Sequence, residues 1–325
     1  MNLLFVNDVK INGVCSCLPS RCVDNLVVCK QLYGDEKKAV SVVKATGINR
    51  RRVVEPGTSS LDLCVAAAQR VMTDCDVRPE EFGAVICVTF TPEQAMPCNA
   101  CQAQRRLGLS HDVVAFDLGL ACSGYAYGLF LAGLLVRSTG KKVLLLDGDV
   151  QTPVTRPNDD ATVPVLADAG SATILSPEKT DRPWVFAFMS DGEKGAALTY
   201  PRGGTISMDG FAVFKFVAMD VSKFIKDFMA EINIGEGDVD AFVPHQANVY
   251  MVKQLSKSLK IPETKLWISG DEVGNSASAT VPVTISRCAR GGERVLLSGF
   301  GGGLSASVGL VDLPAACKLS SLDLL

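Results

Sequence analysis

Short apolar runs alternate with longer stretches of helical period along most of the 325-residue chain. Runs of aliphatic and β-branched residues bounded by polar or glycine-containing segments read as buried strands, here at 9–14, 84–90, 113–118, 142–147, 171–175, 241–244, 294–298 and 306–311. The segments between them have the length and residue choice of helices. The longest apolar one, 124–136, runs on to Gly140 and is too short to cross a bilayer, so it is expected as a buried helix. Strands alternating with helices predict a layered α/β fold, and no linker or low-complexity segment divides the chain. The two halves also echo each other. EEFGAVICVTF (80–90) sits in its half as GDVDAFVPHQ (237–246) does in the other, and GSATILSP (170–177) matches SASVGLVDL (305–313). This suggests a duplication divided into 1–176 and 177–325.

Composition narrows the classes. At 47% hydrophobic and 21% charged residues the chain can bury a large core, and a net charge of −3 supplies no basic field for nucleic acid. The run Asn49, Arg50, Arg51, Arg52 is the one local basic cluster, suited to solvent or to a phosphate. MNLLFVNDVK meets Asp8 before an apolar segment accumulates and has no basic start, so no signal peptide is expected; a cytoplasmic protein with no membrane partner follows. Twelve cysteines raise disulfides and metals. Cys15, Cys17, Cys22 and Cys29 crowd the N-terminus and Cys98 with Cys101 makes a CxxC, but no second ligand pair accompanies either, and the two histidines, His111 and His245, are remote in sequence. Reduced structural thiols and no metal are the expectation.

Three segments place chemistry where strands end. In DLGLACSGYAYG (117–128), Cys122 lies between a strand-like run and the first turn of the long helix, where the helix dipole should make its thiol easier to ionise. In VPHQANVY, Pro244 closes a strand and His245 follows; in DEVGNSASATVP, Gly274 frees the backbone and Asn275 offers an amide. Each alone has a plain structural explanation: a core thiol, a satisfied histidine, a turn. Together at three strand exits, where α/β folds bind ligands, and followed by GFGGG at 299–303, they form a narrow set.

On these motifs the sequence resembles the β-ketoacyl-acyl-carrier-protein synthase III family of the thiolase-like fold. The resemblance runs over nearly the whole chain, through ACSG, PHQAN, GNSASATVP and FGGGL, with TGINRRR, DAGSAT and MDGFAVFKF as related segments. It implies a duplicated five-layer α-β-α-β-α fold and a homodimer. It also implies Cys122 as the acyl-accepting nucleophile, His245 and Asn275 as its catalytic partners, and an oxyanion hole at Cys122 and Gly302. Asn248, Phe211 and Phe214 fall at substrate-binding positions, and Met96, in a loop expected to reach the other subunit's acyl tunnel, at a chain-length position. The implied reaction loads an acyl group onto Cys122 and condenses it with a malonyl thioester, with acyl carrier protein or acyl-coenzyme A as donor and no cofactor. The donor surface departs from the family. The nucleotide clamp falls at Ser41, Ala45 and Asp160, a basic carrier contact at Tyr250, and a tryptophan near Ser305 and Ala306, which points to a specialised fatty-acid or secondary-metabolite pathway. Lys44 or Arg50 to Arg52 are the candidates to replace the phosphate contacts. Two other readings stand beside this one: transfer of the acyl group to an amine or hydroxyl, and a non-catalytic partner subunit.

Overall fold

The apolar runs assemble into two mixed sheets in a computed structural model that describes residues 1–324. The first sheet has the spatial order Lys318–Leu324, Val9–Pro19, Ala169–Pro177, Lys142–Asp149, Phe82–Val88, Val114–Leu118. The second runs Leu4–Val6, Trp184–Ser190, Ser305–Asp312, Arg294–Gly301, Ala241–Pro244. In each, two successive antiparallel pairings lead into a parallel one. The duplication seen in the sequence is thus a duplication of sheet topology. The second sheet has no full counterpart of Val114–Leu118; an isolated parallel bridge between Phe242 and Leu266 stands in its place.

Helices fill three layers around the sheets. Gly124–Thr139 and Thr280–Cys288 lie between them, and one apolar cluster joins Ala84, Ile86 and Val88 of the first sheet to Leu129, Val136 and Ile285 of these helices and to Val243, Val295 and Leu297 of the second. Ser60–Asp74 covers the outside of the first sheet through Leu63, Cys64 and Val71. Ser222–Glu231 and Val249–Ser258 cover the second through Phe224, Phe228 and Leu255. Both sheets are therefore enclosed, which explains strands that read as continuous apolar runs without alternation; every residue of Phe82–Val88 is buried. The central helix comes unusually close to the first sheet because Gly124 allows it: a Cβ there would stand 2.4 Å from Val88 Cγ1.

The two halves exchange their ends. Leu4–Val6 pairs with Trp184–Ser190 in the second sheet, and Lys318–Leu324 pairs with Val9–Pro19 in the first. These end strands and Trp184–Ser190 are absent from the sequence expectation. KLSSLDL is half polar because its strand sits at a sheet edge. Most of the cysteines are packing groups: Cys15, Cys17, Cys64 and Cys87 share the outer core of the first sheet, and all twelve are free. Among the described residues no helix is long and apolar enough to cross a membrane, and no three His, Cys, Asp or Glu side chains cluster as metal ligands.

The arginine run takes a different part from the one expected of it. Arg51 is buried, with Nε donating to Asn25 Oδ1 at 2.9 Å and a guanidinium N–H to the Leu166 carbonyl at 2.7 Å. Arg52 donates to the Pro19 carbonyl at 2.9 Å and pairs with Asp323 at 3.0 Å. Both tie the N-terminal ribbon to the body, so neither is free for a phosphate. Exposed Arg50 pairs with Glu272 at 3.4 Å.

Candidate active site

Cys122 follows the strand Val114–Leu118 through a tight turn, and Ser123 stands at the N-cap position of the helix Gly124–Thr139 without a side-chain capping bond. The glycine-rich strand lies flat against this turn. A Cβ on Gly299 would stand 2.6 Å from both the Cys122 carbonyl oxygen and Ser123 Cα, and a Cβ on Gly301 would stand 2.8 Å from Cys122 Cβ and 3.0 Å from its Sγ. Only backbone can approach a nucleophile so closely. Three serines fasten the contact. Ser307 Oγ donates to the Ser123 carbonyl at 2.9 Å, Ser305 Oγ donates to the Gly302 carbonyl at 2.7 Å, and the Ser123 and Ser305 hydroxyls stand 2.8 Å apart. Ser305 thus connects the nucleophile's turn to Gly302. Sequence reasoning recorded Ser305 only as a missing tryptophan.

The Cys122 thiol is not easier to ionise in the resting protein, contrary to the expectation from its helix terminus. Burial pushes its pKa up to about 12, with the fields of Asp149 and Asp147 adding to the rise and a backbone hydrogen bond opposing it. Desolvation of a thiolate outweighs the partial charge of one helix end. The same burial raises Asp149 to about 7 against four hydrogen bonds into its Oδ1, from the N–H groups of Phe90 and Thr91 and the hydroxyls of Thr89 and Thr91. Asp149 Oδ2 has no partner and is the place for a proton. Asp147 is raised well above the carboxylate range by burial and accepts from Ser278 Oγ at 2.6 Å.

His245 and Asn275 are aimed by their neighbours. The Asn275 side-chain oxygen accepts from the Ala277 N–H at 3.0 Å, which leaves the amide NH2 as the donor on the cavity wall, with one long bond of 3.5 Å to the Ala247 carbonyl. Gln151, which no sequence argument singled out, holds the Asn275 backbone: its Nε2 donates to the carbonyls of Asn275 and Ala167, each at 2.9 Å. His245 Nδ1 stands 2.8 Å from Thr280 Oγ1, and the Phe300 ring packs edge-on against the imidazole at 5.2 Å. Burial lowers the His245 pKa to about 3, so the ring is neutral near pH 7. The single proton of the Thr280 hydroxyl can go to the Ala277 carbonyl or to Nδ1, each 2.8 Å away; when it turns to Nδ1, Nε2 carries the ring's proton and is a hydrogen-bond donor. Thr280 was the other residue missed. It lies within GNSASATVP, five positions after Asn275, but its contact with His245 is set by the fold.

One cavity of about 1220 Å³ is lined by Cys122, His245, Asn275, Gly302 and Asn248, together with apolar groups such as Phe90 and Leu198. Three expected substrate residues lie off its wall. Phe211 is 77% exposed, and Phe214 stacks on Tyr250 with centroids 6.5 Å apart. Met96 is 85% exposed and so does not fill the core of its own chain. Asn248 caps the helix Val249–Ser258, its Oδ1 accepting from the Met251 N–H at 2.7 Å. At the cavity's edge Val42, Thr46 and Asp160 form part of the wall, and Tyr33 Oη donates to the Asp160 carbonyl at 3.2 Å. Lys38 lies 4.1 Å from the Tyr33 ring centre.

A cysteine pressed against a glycine strand, beside an oriented asparagine and a neutral buried histidine in a duplicated five-layer fold, defines a condensing enzyme of the thiolase-like class. Comparison with known proteins narrows the class. The family model described as 3-oxoacyl-[acyl-carrier-protein] synthase III matches residues 116–192, and that for the C-terminal part of the same family matches 229–313. A β-ketoacyl-[acyl-carrier-protein] synthase III of Rhodopirellula baltica is 30% identical over 337 residues, covering 91% of this chain and 96% of the relative. Synthase III 3 of Streptomyces coelicolor is 31% identical, with 94% and 97% covered. The crystal structure of a 3-oxoacyl-(acyl-carrier protein) synthase from Burkholderia xenovorans LB400 superposes with a TM-score of 0.95 at 27% identity, covering 99% of both chains. The priming β-ketosynthase of the R1128 polyketide pathway gives 0.85 at 28% identity, covering 97% of this chain and 99% of its own. The chain belongs to the β-ketoacyl-acyl-carrier-protein synthase III family, and it is an acyltransferase of the condensing type.

Proposed function

We propose that Cys122 takes an acyl group from a thioester donor and that the acyl-enzyme is then condensed with a malonyl thioester in the same cavity. The observation that carries this reading is the convergence of Cys122, His245, Asn275 and Gly302 on one cavity from both halves of the chain. In the loading step the sulfur attacks the thioester carbonyl, and the backbone N–H groups of Cys122 and Gly302 receive the oxyanion. Because the resting thiol is protonated, its proton leaves as the sulfur attacks; when the oxyanion collapses the donor's C–S bond breaks, and the donor departs as a free thiol carrying that proton. In the second step loss of carbon dioxide from the malonyl group leaves an enolate. The NH2 of Asn275 and Nε2–H of His245 donate to its oxygen, and the carbanion attacks the acyl-Cys122 carbonyl. A neutral imidazole suits this role, since a protonated ring buried at this depth is disfavoured.

Acyl carrier protein is the donor favoured here over free coenzyme A. The positions corresponding to the family's nucleotide clamp hold Ser41, Ala45 and Asp160, and Arg51 and Arg52 are committed to structural bonds. The exposed rings of Phe211 and Tyr250 offer apolar surface for a protein partner instead. Likeness to both β-ketoacyl-[acyl-carrier-protein] synthases III and the priming β-ketosynthase of a polyketide pathway supports a specialised pathway, and the exposed Met96 supports a homodimer in which that loop is covered.

The test is intact mass spectrometry after exposure to matched acyl-carrier-protein and acyl-coenzyme A thioesters, followed by malonyl-carrier protein with trapping of carbon dioxide. The expected result is one acyl adduct on Cys122, lost in Cys122→Ala, with faster loading from the carrier protein and release of carbon dioxide on condensation. An adduct on another cysteine overturns the mechanism. Turnover with an amine or hydroxyl acceptor and no carbon dioxide would replace condensation with simple acyl transfer.

A further inference from the structure

The CxxC of the sequence is not used by the condensing chemistry, yet the fold brings it to the active-site cavity. Cys98 is the N-cap residue of the helix Asn99–Arg106 and Cys101 lies in its first turn, with their sulfurs 3.4 Å apart. A disulfide requires about 2.05 Å, so a shift of little more than an ångström joins them. Cys101 is exposed and Cys98 is half-buried in the wall of the cavity that contains Cys122. Most of the remaining thiols, Cys122 included, are buried.

The surroundings favour the oxidised form of this pair. The N–H groups of Asn99 and Ala100, which at a helix start would stabilise a thiolate, both donate to the Asp117 carboxylate at 2.7 Å. The hydrogen bond with Cys98, followed by burial and the charge of Asp117, pushes the Cys101 thiol upward. A disulfide is strongly oxidising when the thiolate of its reduced form is stabilised; here the helix-start N–H groups are taken by Asp117, so a Cys98–Cys101 disulfide is not of that labile kind.

We infer that Cys98 and Cys101 form a reversible redox pair whose closure into an intrachain disulfide reshapes the cavity wall and slows loading of Cys122. The oxidant is a low-molecular-weight disulfide of the glutathione type. One cysteine attacks it, releasing one small thiol and leaving a mixed disulfide; the second cysteine attacks that bond and releases the other. One S–S bond breaks and one forms, and the two cysteine protons end on the two released thiols. A displacement of about an ångström in the wall corresponds to a loss in loading on the order of tenfold or more.

This inference rests on the loading role proposed for Cys122, and the experiment separates the two. The full-length protein is equilibrated in buffers of oxidised and reduced glutathione, trapped by alkylation, peptide-mapped, and assayed for acyl loading. The expected outcome is a Cys98–Cys101 disulfide formed while Cys122 stays a thiol, with loading roughly tenfold slower and restored by reductant. Cys101→Ser, and independently Cys98→Ser, should abolish the redox response. Absence of the disulfide, oxidation of Cys122 first, or unchanged loading in fully oxidised protein overturns the inference. If reduced protein fails to load at all, the loading assignment has failed instead. The redox pair is then judged by the disulfide map and by the rate of Cys122 alkylation in the two states, where equal rates refute it.

Discussion

Replacing Thr280 with valine removes a hydroxyl while keeping nearly the same volume. That hydroxyl stands 2.8 Å from both the Ala277 carbonyl and His245 Nδ1, either of which can take its one proton, and accepts from the Gln246 N–H at 3.2 Å. Two buried nitrogens lose a partner, which costs about 1–3 kcal/mol for each group left unsatisfied. Denaturation should therefore shift by a few degrees without unfolding the protein. The catalytic effect is more specific. With the hydroxyl gone, the ring's remaining neighbour is the Ala277 carbonyl, an acceptor that can be met only by an N–H. A proton drawn to that side leaves Nε2 without one, and the enolate loses one of its two side-chain donors. Loss of one such donor costs about 10²–10³ in rate, or about 2.7–4 kcal/mol. Acyl loading, served by the N–H groups at Cys122 and Gly302, should change little. The assay measures loading by intact mass and condensation by product formation in the same sample, for Thr280→Val and for Thr280→Ser, which keeps the hydroxyl. Condensation selectively lost in the valine variant and restored in the serine variant is the expected result. Equal losses in both steps, or near-normal condensation in a folded valine variant, would refute the assignment of Thr280 as the residue that positions the proton on His245.

Three further predictions follow from the same geometry. Gly301→Ala places a Cβ 3.0 Å from Cys122 Sγ, so loading should fall by about 10²-fold with roughly 1–3 kcal/mol of destabilisation; a freely loading variant would show that the contact gives way. Stability should depend on pH through two opposed groups. His245, lowered to about 3, leaves the unfolded chain binding more protons between there and 6.5, so its contribution is lost as pH falls through that window. Asp149, raised to about 7, binds a proton in the fold that the unfolded chain releases above 3.8, so its contribution is lost as pH rises towards 7. Asp149→Asn should thus weaken any decline in melting temperature between about pH 5 and about pH 8; a decline as steep as the wild type's contradicts the buried proton. Finally, Met96→Trp should shorten the accepted acyl chain without changing the oligomer, since Met96 is exposed on its own subunit. A monomeric wild type, or an unchanged chain-length profile, removes the idea that this loop enters a partner's tunnel.

The sequence by itself determined eight strands of the two main sheets with helices between them, the duplication, and the three motifs that carry Cys122, His245 and Asn275, because each depends on local pattern: apolar period, turn residues and short motifs at strand ends. Tertiary structure decided what depends on distance between remote segments. The Cys122 thiol sits at a helix start as read from its neighbours, but its pKa is raised by burial, which no local window records. Arg51 and Arg52 look like an exposed basic run and become internal ties because Asn25, Leu166, Pro19 and Asp323 meet them in space. Ser305 and Gln151 orient the site from positions with no motif of their own, and Thr280 does so from within GNSASATVP, since a hydroxyl or an amide acquires its role only when the fold supplies a partner. The exchanged end strands have the same cause: Leu4–Val6 and Lys318–Leu324 are short edge strands whose place is set by the sheet they join.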